Sequence, residues 1–598
     1  MADFTTAMRE ALLDACALDW SAISPAIFGS LFQSIMDDKA RRNLGAHYTS
    51  EENILKLIKP LFLDELWAEF EKVKGNKNKL FEFHKKLRTL TFFDPACGCG
   101  NFLVISYREL RELELAVLRA SDTSGQQTLD VHSLIGVNVD QFYGIEIEEF
   151  AAQIAQVALW LMDHQMNLRV SEEFGLYFAR IPLKTTPHVV HGNALTLDWN
   201  EVLPAQRCSF VLGNPPFLGK SYQSKGQKTD LELVMHGING AGDLDYVAAW
   251  YVKAAQYLHV AAPARAAQMP GPHTLRFLKS PPTSAPPTPQ ELALPDSQGR
   301  CAFVSTNSIT QGEQVGVLWS WLLAQGVHIH FAHRTFSWSN EALGNAAVHC
   351  VIIGFGLQDR PDKVIFEYDD IRGAPHAVAV ANINPYLVDA PNVALSKRRT
   401  PICEVTELVN GSKPTDAGNL VLSDEDKNRL IVIEPKAEKW VRPFLGADEF
   451  INGTARWCLW LVDCPPSELR QLPEVMRRVQ AVKAMRAASS KVATRENAKV
   501  PALFAELRQP QSDYLLVPSV SSERRTYVPI GFISAEVIVS NLVYSLPDAT
   551  LFHFGILSCT MHTAWMRFTC GRLKSDYRYS NTIVYNNFPW PDLAQSSE

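Results

Sequence analysis

The sequence predicts an α/β fold, a mostly parallel sheet with helices on both faces, preceded by a helical segment and followed by a less regular α+β region. Two observations predict it. From about residue 90 to 389, short apolar runs of β-type residues alternate with helical patterns, the order in which a chain builds a parallel sheet with covering helices. The first of those runs ends in a glycine-rich turn, and beyond about residue 390 the alternation becomes irregular.

The elements follow in order. Residues 1–89 read mostly as helix, with apolar positions at helical spacing in Ile54, Leu55, Ile58, Leu61 and Leu63, and again at Leu66, Trp67 and Phe70. Leu90 to Phe93 is a β-type run; Gln141 to Ile145, Ser209 to Leu212, Cys301 to Ser305 and Val348 to Phe355 are others, and Ala151 to Met162 is helical. Ala120 to Val139 is polar and reads as an insertion. Pro263 to Pro295 holds nine prolines, which lack an amide donor and fix φ, so it reads as an exposed insertion in the 90–389 region.

Composition bounds the function. The 598 residues predict two to four domains. The net charge of −7 lacks the basic balance of a compact nucleic-acid-binding domain, although a large enzyme can confine basic charge to one cleft. That charge is indeed uneven. Between Val475 and Ile530 stand ten basic residues, including Arg477, Arg478, Arg524 and Arg525, against four acidic ones. This reads either as a solvated helix face or as a set of phosphate contacts. No secretory leader, no membrane-length apolar run and no cysteine pairing framework is evident, which predicts a soluble cytoplasmic protein. Cys97 and Cys99 lack a second Cys or His pair at zinc spacing, so no metal site is expected.

Four short motifs carry chemistry. Phe93-Asp94-Pro95-Ala96-Cys97-Gly98-Cys99-Gly100 lies between a strand and a helix; Gly98 and Gly100 permit a tight turn close to a ligand. Asp94 suits the ammonium of an amino-acid ligand, and no Gly-Lys-Ser/Thr closes this loop, which disfavours a nucleoside triphosphate here. Glu146, at the end of a second strand, suits two ribose hydroxyls. It lies 46 residues after Gly100, where about 20 is usual in a dinucleotide fold, and the polar insertion accounts for the excess. Asn193, in His191-Gly192-Asn193-Ala194, suits an adenine amino group or, equally, an Asx-turn. Asn214-Pro215-Pro216-Phe217 follows a strand. Its two prolines donate nothing, so the loop presents two acceptors, the Asn214 side-chain oxygen and the Pro215 carbonyl, to an amino group with two hydrogens. Phe217 offers a face for a planar base, which duplex pairing would hide until it is flipped out.

This set resembles the class I, gamma-group amino-methyltransferases of DNA, which join a D-P-A-C-G-x-G cofactor loop to an N-P-P-[YFW] catalytic loop, with an upstream segment like Gly45-Ala46-His47-Tyr48-Thr49-Ser50. The likeness extends to Phe303–Gly312, Phe336–Ala342, Glu449–Gly453, Tyr577–Ser580 and Tyr585–Trp590, and together these resemble the MmeI-like family. The resemblance implies a Rossmann-like methyltransferase domain at 90–389, a target-recognition domain at 390–545 and a small C-terminal domain at 546–598. It implies S-adenosylmethionine as cofactor, contacted by Thr49, Asp94, Ala96, Gly98, Gly100, Glu146 and Asn193. Asn214, Pro215, Pro216 and Phe217 would serve the target base, with Phe336 or Trp338 stacking from the other side.

The implied activity is N6-adenine methylation of double-stranded DNA in restriction-modification or phage defence. Alternatives are N4-cytosine methylation, methylation of RNA or a protein glutamine, and a non-catalytic DNA-recognition subunit. C5-cytosine chemistry needs a cysteine nucleophile after proline, and no Pro-Cys dipeptide occurs. Fused members place a nuclease before the methyltransferase; here about 44 residues precede Gly45, too few for one, so cleavage would fall to a separate nuclease or other defence subunit. Glu434-Pro435-Lys436 has the E-x-K form of some nuclease sites but no clear Asp partner, and is taken as chance.

Overall fold

The structure, a computed structural model, describes residues 5–17, 49–121, 135–174, 185–266, 299–338, 348–573 and 575–591. Of the segments singled out in the sequence, Gly45 to Tyr48, residues 122–134, most of the proline-rich stretch and Ser339 to Ala342 lie outside the described residues. The chain forms two compact units, Met1–Thr310 with Val317–Ala394, and Gln311–Gly316 with Leu395–Glu598.

The first unit starts with helices α1 (Thr6–Cys16), α2 (Glu51–Ile58), α3 (Asp64–Val73) and α4 (Lys77–Leu87). The periodicity around Ile54 to Leu63 predicts one helix, but Pro60 lacks the amide that the α-ladder needs. The chain answers with a wider π-helical turn over Lys59–Leu63 before α3 resumes.

A nine-stranded sheet forms the body: β1 (Phe92–Asp94), β2 (Phe142–Glu146), β3 (His188–His191), β4 (Phe210–Gly213), β5 (Arg300–Thr306), β6 (His328–Trp338), β7 (Val348–Gly356), β8 (Lys363–Glu367) and β9 (His376–Val380), in the order 3-2-1-4-5-7-6-8-9. Neighbours from β3 to β5 are parallel. Beyond them β7 runs antiparallel to both β5 and β6, so the sheet is mixed at that end. The residues of β1 are buried on both faces, as a central parallel strand requires.

A ladder of phenylalanines fixes the register where it matters. Phe92 pairs with Phe142 on one side and Phe210 on the other, with ring centroids 4.8 and 5.5 Å apart, and Phe62 closes on Phe92 at 5.0 Å. A slip of one residue would turn these rings to the opposite face. Held in register, Asp94, Glu146 and Gly213 end their strands at one edge of the sheet.

Helices α5 (Asn101–Ser121) and α6 (Glu149–Phe174) follow β1 and β2. They are joined by a buried polar network. The guanidinium of Arg111 donates to Asp163 at 3.1 Å and to Asn167 at 3.0 Å, and the Tyr107 hydroxyl donates to Asp163 at 2.6 Å. Ala151, Ala152, Ala155 and Ala158 of α6 are buried, and small side chains let the helix come close. Helices α7 (Lys225–Val234) and α8 (Ala248–Ala266) follow β4.

The second unit is α+β. One sheet runs β10 (Val409–Asn410), β18 (Val543–Pro547), β14 (Tyr514–Pro518), β16 (Gly531–Ile533). A second runs β11 (Val421–Leu422), β13 (Trp457–Leu459), β12 (Val441–Leu445), β17 (Ile538–Val539), and a third β15 (Val520–Ser521), β20 (Asp576–Arg578), β19 (Gly571–Leu573). Helices α9 (Asp424–Ile433) and α10 (Pro473–Ala487) pack their buried faces into the core around Leu430, Val475 and Phe504. Helices α11 (Leu551–Ser558) and α12 (Thr560–Thr569) share another core with β14 and the 577–590 segment. Glu434 acts locally. Its carboxylate accepts the amides of Glu474 at 2.5 Å and Val475 at 3.1 Å, capping the start of α10.

Candidate active site

Strand order reverses between β1 and β4, and in open α/β sheets ligands bind beyond the carboxyl ends of strands at that point. The residues expected to carry chemistry gather there. After β1 the chain turns through Gly98 at φ +55° and Gly100 at φ +83° into α5. At Gly100 a Cβ would sit 2.9 Å from the Ala155 Cβ, so α6 approaches too closely for any larger residue.

Asp94 is 1% exposed. One carboxylate oxygen accepts the Ala96 amide at 3.0 Å; the other is buried and has no hydrogen-bond partner among the described residues. Burial pushes this carboxyl up to about 8, against the pull of the Ala96 amide and with a further push from negative Glu146. Glu146 ends β2 and is likewise raised by burial; it accepts the Gly98 amide at 2.8 Å and the Glu148 amide at 3.0 Å. The loop after β1 and the end of the second strand are therefore joined. The Pro95 carbonyl accepts the Trp250 indole N–H at 3.1 Å, which ties the loop to α8.

Asn193 follows β3. Its side-chain oxygen accepts the Leu195 amide at 2.9 Å, forming the Asx-turn, and its Nδ2 donates to Asp230 Oδ2 of α7 at 3.0 Å. Asp230 also accepts from the Tyr246 hydroxyl at 3.2 Å. The turn is held from below by Lys253, whose Nζ donates to the Ala194 carbonyl at 2.7 Å; desolvation lowers this ammonium to about 8.

β4 ends at Gly213, where φ is +152° and a Cβ would lie 2.4 Å from Asp94 Oδ1. Asn214 follows. Its Nδ2 donates to the Thr49 hydroxyl at 3.1 Å, while its Oδ1 is buried with no hydrogen-bond partner among the described residues. The amide is thus oriented with its acceptor left over. Pro215 and Pro216 contribute no donors, and Phe217 is buried.

The other expected residues lie on β6 and in the second unit. Phe336 and Trp338, at the end of β6, are 1% and 3% exposed. Phe336 stacks on Tyr368 with centroids 5.4 Å apart and lies under the Lys56 ammonium at 5.1 Å. In the second unit Arg477 binds Glu474 with two hydrogen bonds of 2.6 and 2.8 Å. The largely buried Arg478 side chain is directed at the Asn419 carbonyl, Glu474 and Asp426. Arg524 and Arg525 are exposed and form no ion pair among the described residues. No cluster of metal-ligating side chains occurs, and no helix is long and apolar enough to cross a membrane, among the described residues.

Sequence reasoning missed Gln223, Asp230, Asp245 and Lys253. Asp245 stands just before α8, where an acid reads simply as a helix cap. Its longer reach, to Leu218, has no local signature.

A sheet that is parallel from β3 to β5 in this order, with an acid at the end of β1, another at the end of β2 and an Asn-Pro-Pro loop after β4, is the architecture of a methyltransferase domain. Comparison with known proteins agrees. Residues 70–269 and 291–367 match the family model described as "MmeI, DNA-methyltransferase domain", and residues 389–592 match "MmeI, target recognition domain". The solved structure of the type IIL restriction-modification enzyme MmeI in complex with DNA is 59% identical with a TM-score of 0.85, over 100% of this chain and 75% of that one. DNA methyltransferase A of Bacillus subtilis (strain 168) is 37% identical over 99% of this chain, which spans 63% of that protein. A putative type II restriction enzyme and methyltransferase of Methanocaldococcus jannaschii is 26% identical over 23% of this chain and 14% of its own length. The chain belongs to the MmeI family.

Proposed function

We propose that this chain transfers a methyl group from S-adenosylmethionine to the N6 amino group of an adenine flipped out of duplex DNA, within restriction-modification or phage defence. The observation that carries the reading is the Asn214 side chain: its nitrogen is committed to Thr49 and its buried oxygen is left without a partner. A buried, unpaired acceptor costs about 1–3 kcal/mol, a strain that a substrate N–H relieves. With the Pro215 carbonyl it receives the two hydrogens of an exocyclic amine, which localises the nitrogen lone pair. Phe217 supplies the stacking face.

The residues at the strand ends fit the cofactor. The unpaired, buried Asp94 Oδ2 suits an ammonium, and Glu146 at the end of β2 suits ribose hydroxyls. Bound there, the cofactor supplies an electrophilic methyl group. Thr49 accepts the Asn214 side-chain N–H, and Asp230 joins Asn193 as a candidate for the adenine end. The MmeI structure was solved with DNA, which supports duplex DNA as the partner.

The test is transfer of labelled methyl to duplex DNA, followed by identification of the modified base. Label on N4 of cytosine would move the target within the class; label confined to RNA or protein would overturn the reading.

Asp94 makes a proton-linked prediction. Its folded pKa, about 8, lies above the ordinary 3.8, so below pH 8 the carboxyl favours its protonated form until cofactor binds; the stability from that proton is full below pH 3.8 and is lost as pH rises from there through 8. A bound ammonium favours the carboxylate. Cofactor binding at pH 7 should therefore release roughly one proton, with affinity rising as pH approaches 8. Calorimetry in buffers of different ionisation enthalpy reads this directly. Release of no proton, or the same release from Asp94→Asn, would remove Asp94 from the role.

In the second unit, Arg524 and Arg525 are exposed with no ion pair among the described residues, whereas Arg477 and Arg478 are paired with Glu474. Replacing both exposed arginines by Ala should flatten the salt dependence of DNA binding by about 0.9 for each phosphate that they neutralise. Arg478→Ala should instead lower the melting temperature. An unaltered slope in the double variant shows that neither arginine meets DNA.

A further inference from the structure

A loop containing Pro215 and Pro216 cannot be tied down along its length through those two amides. Its position must come from its ends. The first end is held by β4 and by Thr49 on Asn214. The second end is Leu218, and both of its backbone groups are taken. Its N–H donates to Asp245 Oδ1 at 2.8 Å. Its carbonyl accepts Gln223 Nε2 at 2.9 Å and the Tyr246 N–H at 3.1 Å.

Both clamping side chains are buried and themselves held. Asp245 Oδ1 also accepts the Val247 amide at 3.3 Å, and Oδ2 accepts the Thr306 hydroxyl from the end of β5 at 3.5 Å. Gln223 Nε2 also donates to the Leu244 carbonyl at 3.1 Å. Burial pushes the Asp245 carboxyl up to about 6, which leaves it an ionised acceptor at neutral pH. A few residues on, Trp250 holds the Pro95 carbonyl of the loop after β1. The Leu244–Trp250 segment therefore grips both loops of the site, the one after β1 and the one after β4.

We propose that Asp245 and Gln223 are positioning residues that set the Asn214–Phe217 loop at its working distance from the Asp94–Gly100 loop. The proposal rests on the methyl-transfer reading for its rate consequence, and on geometry alone for the clamp. Losing the clamp leaves each ligand's own contacts in place and changes the spacing between the reacting groups, and a displacement of about 1 Å costs on the order of a hundredfold in rate.

The variants are Asp245→Ala, Asp245→Asn and Gln223→Ala in the full chain. Asn keeps the oxygen that faces Leu218 and turns an NH2 toward the Thr306 hydroxyl, which can accept. Asp245→Ala should lower kcat about a hundredfold with cofactor and DNA affinities unchanged, and Asp245→Asn should restore most of it. Gln223→Ala, which removes only the carbonyl-side hold, should fall between and guards against misfolding of Asp245→Ala. Amide exchange at Leu218 should quicken in Asp245→Ala and return toward normal in Asp245→Asn. A wild-type kcat in folded Asp245→Ala, an Asn variant as impaired as the Ala variant, or cofactor affinity falling in step with kcat would overturn the assignment. If the wild-type protein itself transfers no methyl group to DNA, the proposed function falls, and Leu218 exchange still decides the clamp: equal protection in wild type and Asp245→Ala overturns it.

Discussion

Asn214→Ala should reduce methyl transfer by on the order of 10²–10³-fold while leaving cofactor affinity close to wild type. The size follows from what the side chain offers. A single preorganised hydrogen-bonding group aimed at the charge that develops in a transition state is worth about that much. Here the group is preorganised twice over: Thr49 fixes which way the amide faces, and burial keeps water from competing for Oδ1. The proposed cofactor side is built from β1 and β2, so truncating Asn214 at Cβ leaves Asp94 and Glu146 with their partners. Single-turnover transfer of labelled methyl, set beside calorimetric cofactor binding, separates the two effects. Equal losses in both would mean that Asn214 shapes the site as a whole and has no special part in accepting the amine.

Arg486→Leu is expected to destabilise the second unit by about 3–5 kcal/mol, with no direct effect on the chemistry. Arg486 lies on α10 and is 0% exposed. Its guanidinium donates to five carbonyls: Pro414 at 2.8 Å, Leu503 at 2.9 Å, Thr415 at 3.0 Å, Asn497 at 3.1 Å and Val500 at 3.3 Å. Two stretches of backbone far apart in sequence, 414–415 and 497–503, meet on one cation. Leucine fills part of the volume but takes the guanidinium donors from all five carbonyls, leaving Pro414, Asn497 and Val500 only their backbone donors (the amides of Ala505, Val500 and Leu503). Charge-assisted bonds are worth about 1.5–3 kcal/mol each but do not add, which sets the range. For a unit of this size, the melting transition should fall by about 10 °C. Calorimetry that resolves the two units checks it; a transition shifted by less than about 2 °C would show that the carbonyls find water instead.

These two residues show what the sequence could and could not tell. Asn214 was legible because its signals are local: a buried β-run, a turn that prolines force open, and an aromatic residue. Asp94 and Glu146 were legible for the same reason, each standing where an apolar strand gives way to a helix. The MmeI-like pattern then extended the reading over the rest of the chain. Arg486 was not legible. In the sequence it is one of ten basic residues between Val475 and Ile530, and only the fold separates a charge buried among carbonyls from the exposed Arg524 and Arg525. Asp245 and Gln223 were missed because side-chain bonds to a distant backbone follow no period. Strand β6 was missed because His330 and His333 break its apolar pattern, yet both are buried and hydrogen-bonded, to the Gln358 and Lys56 carbonyls. The polar stretch expected as an insertion after the first helix begins inside one: α5 continues to Ser121.

The contact between Gly213 and Asp94 has a consequence for how this site can change. The carboxylate and the end of β4 occupy adjoining volumes with no allowance between them, since even a methyl group at position 213 would fall 2.4 Å from Asp94 Oδ1. Under the proposed function, donor grip and acceptor presentation therefore share one wall. A substitution that relaxes one side moves the other, so the two cannot be tuned as independent traits, and variants that alter which amine is methylated must be sought in residues that leave this wall untouched.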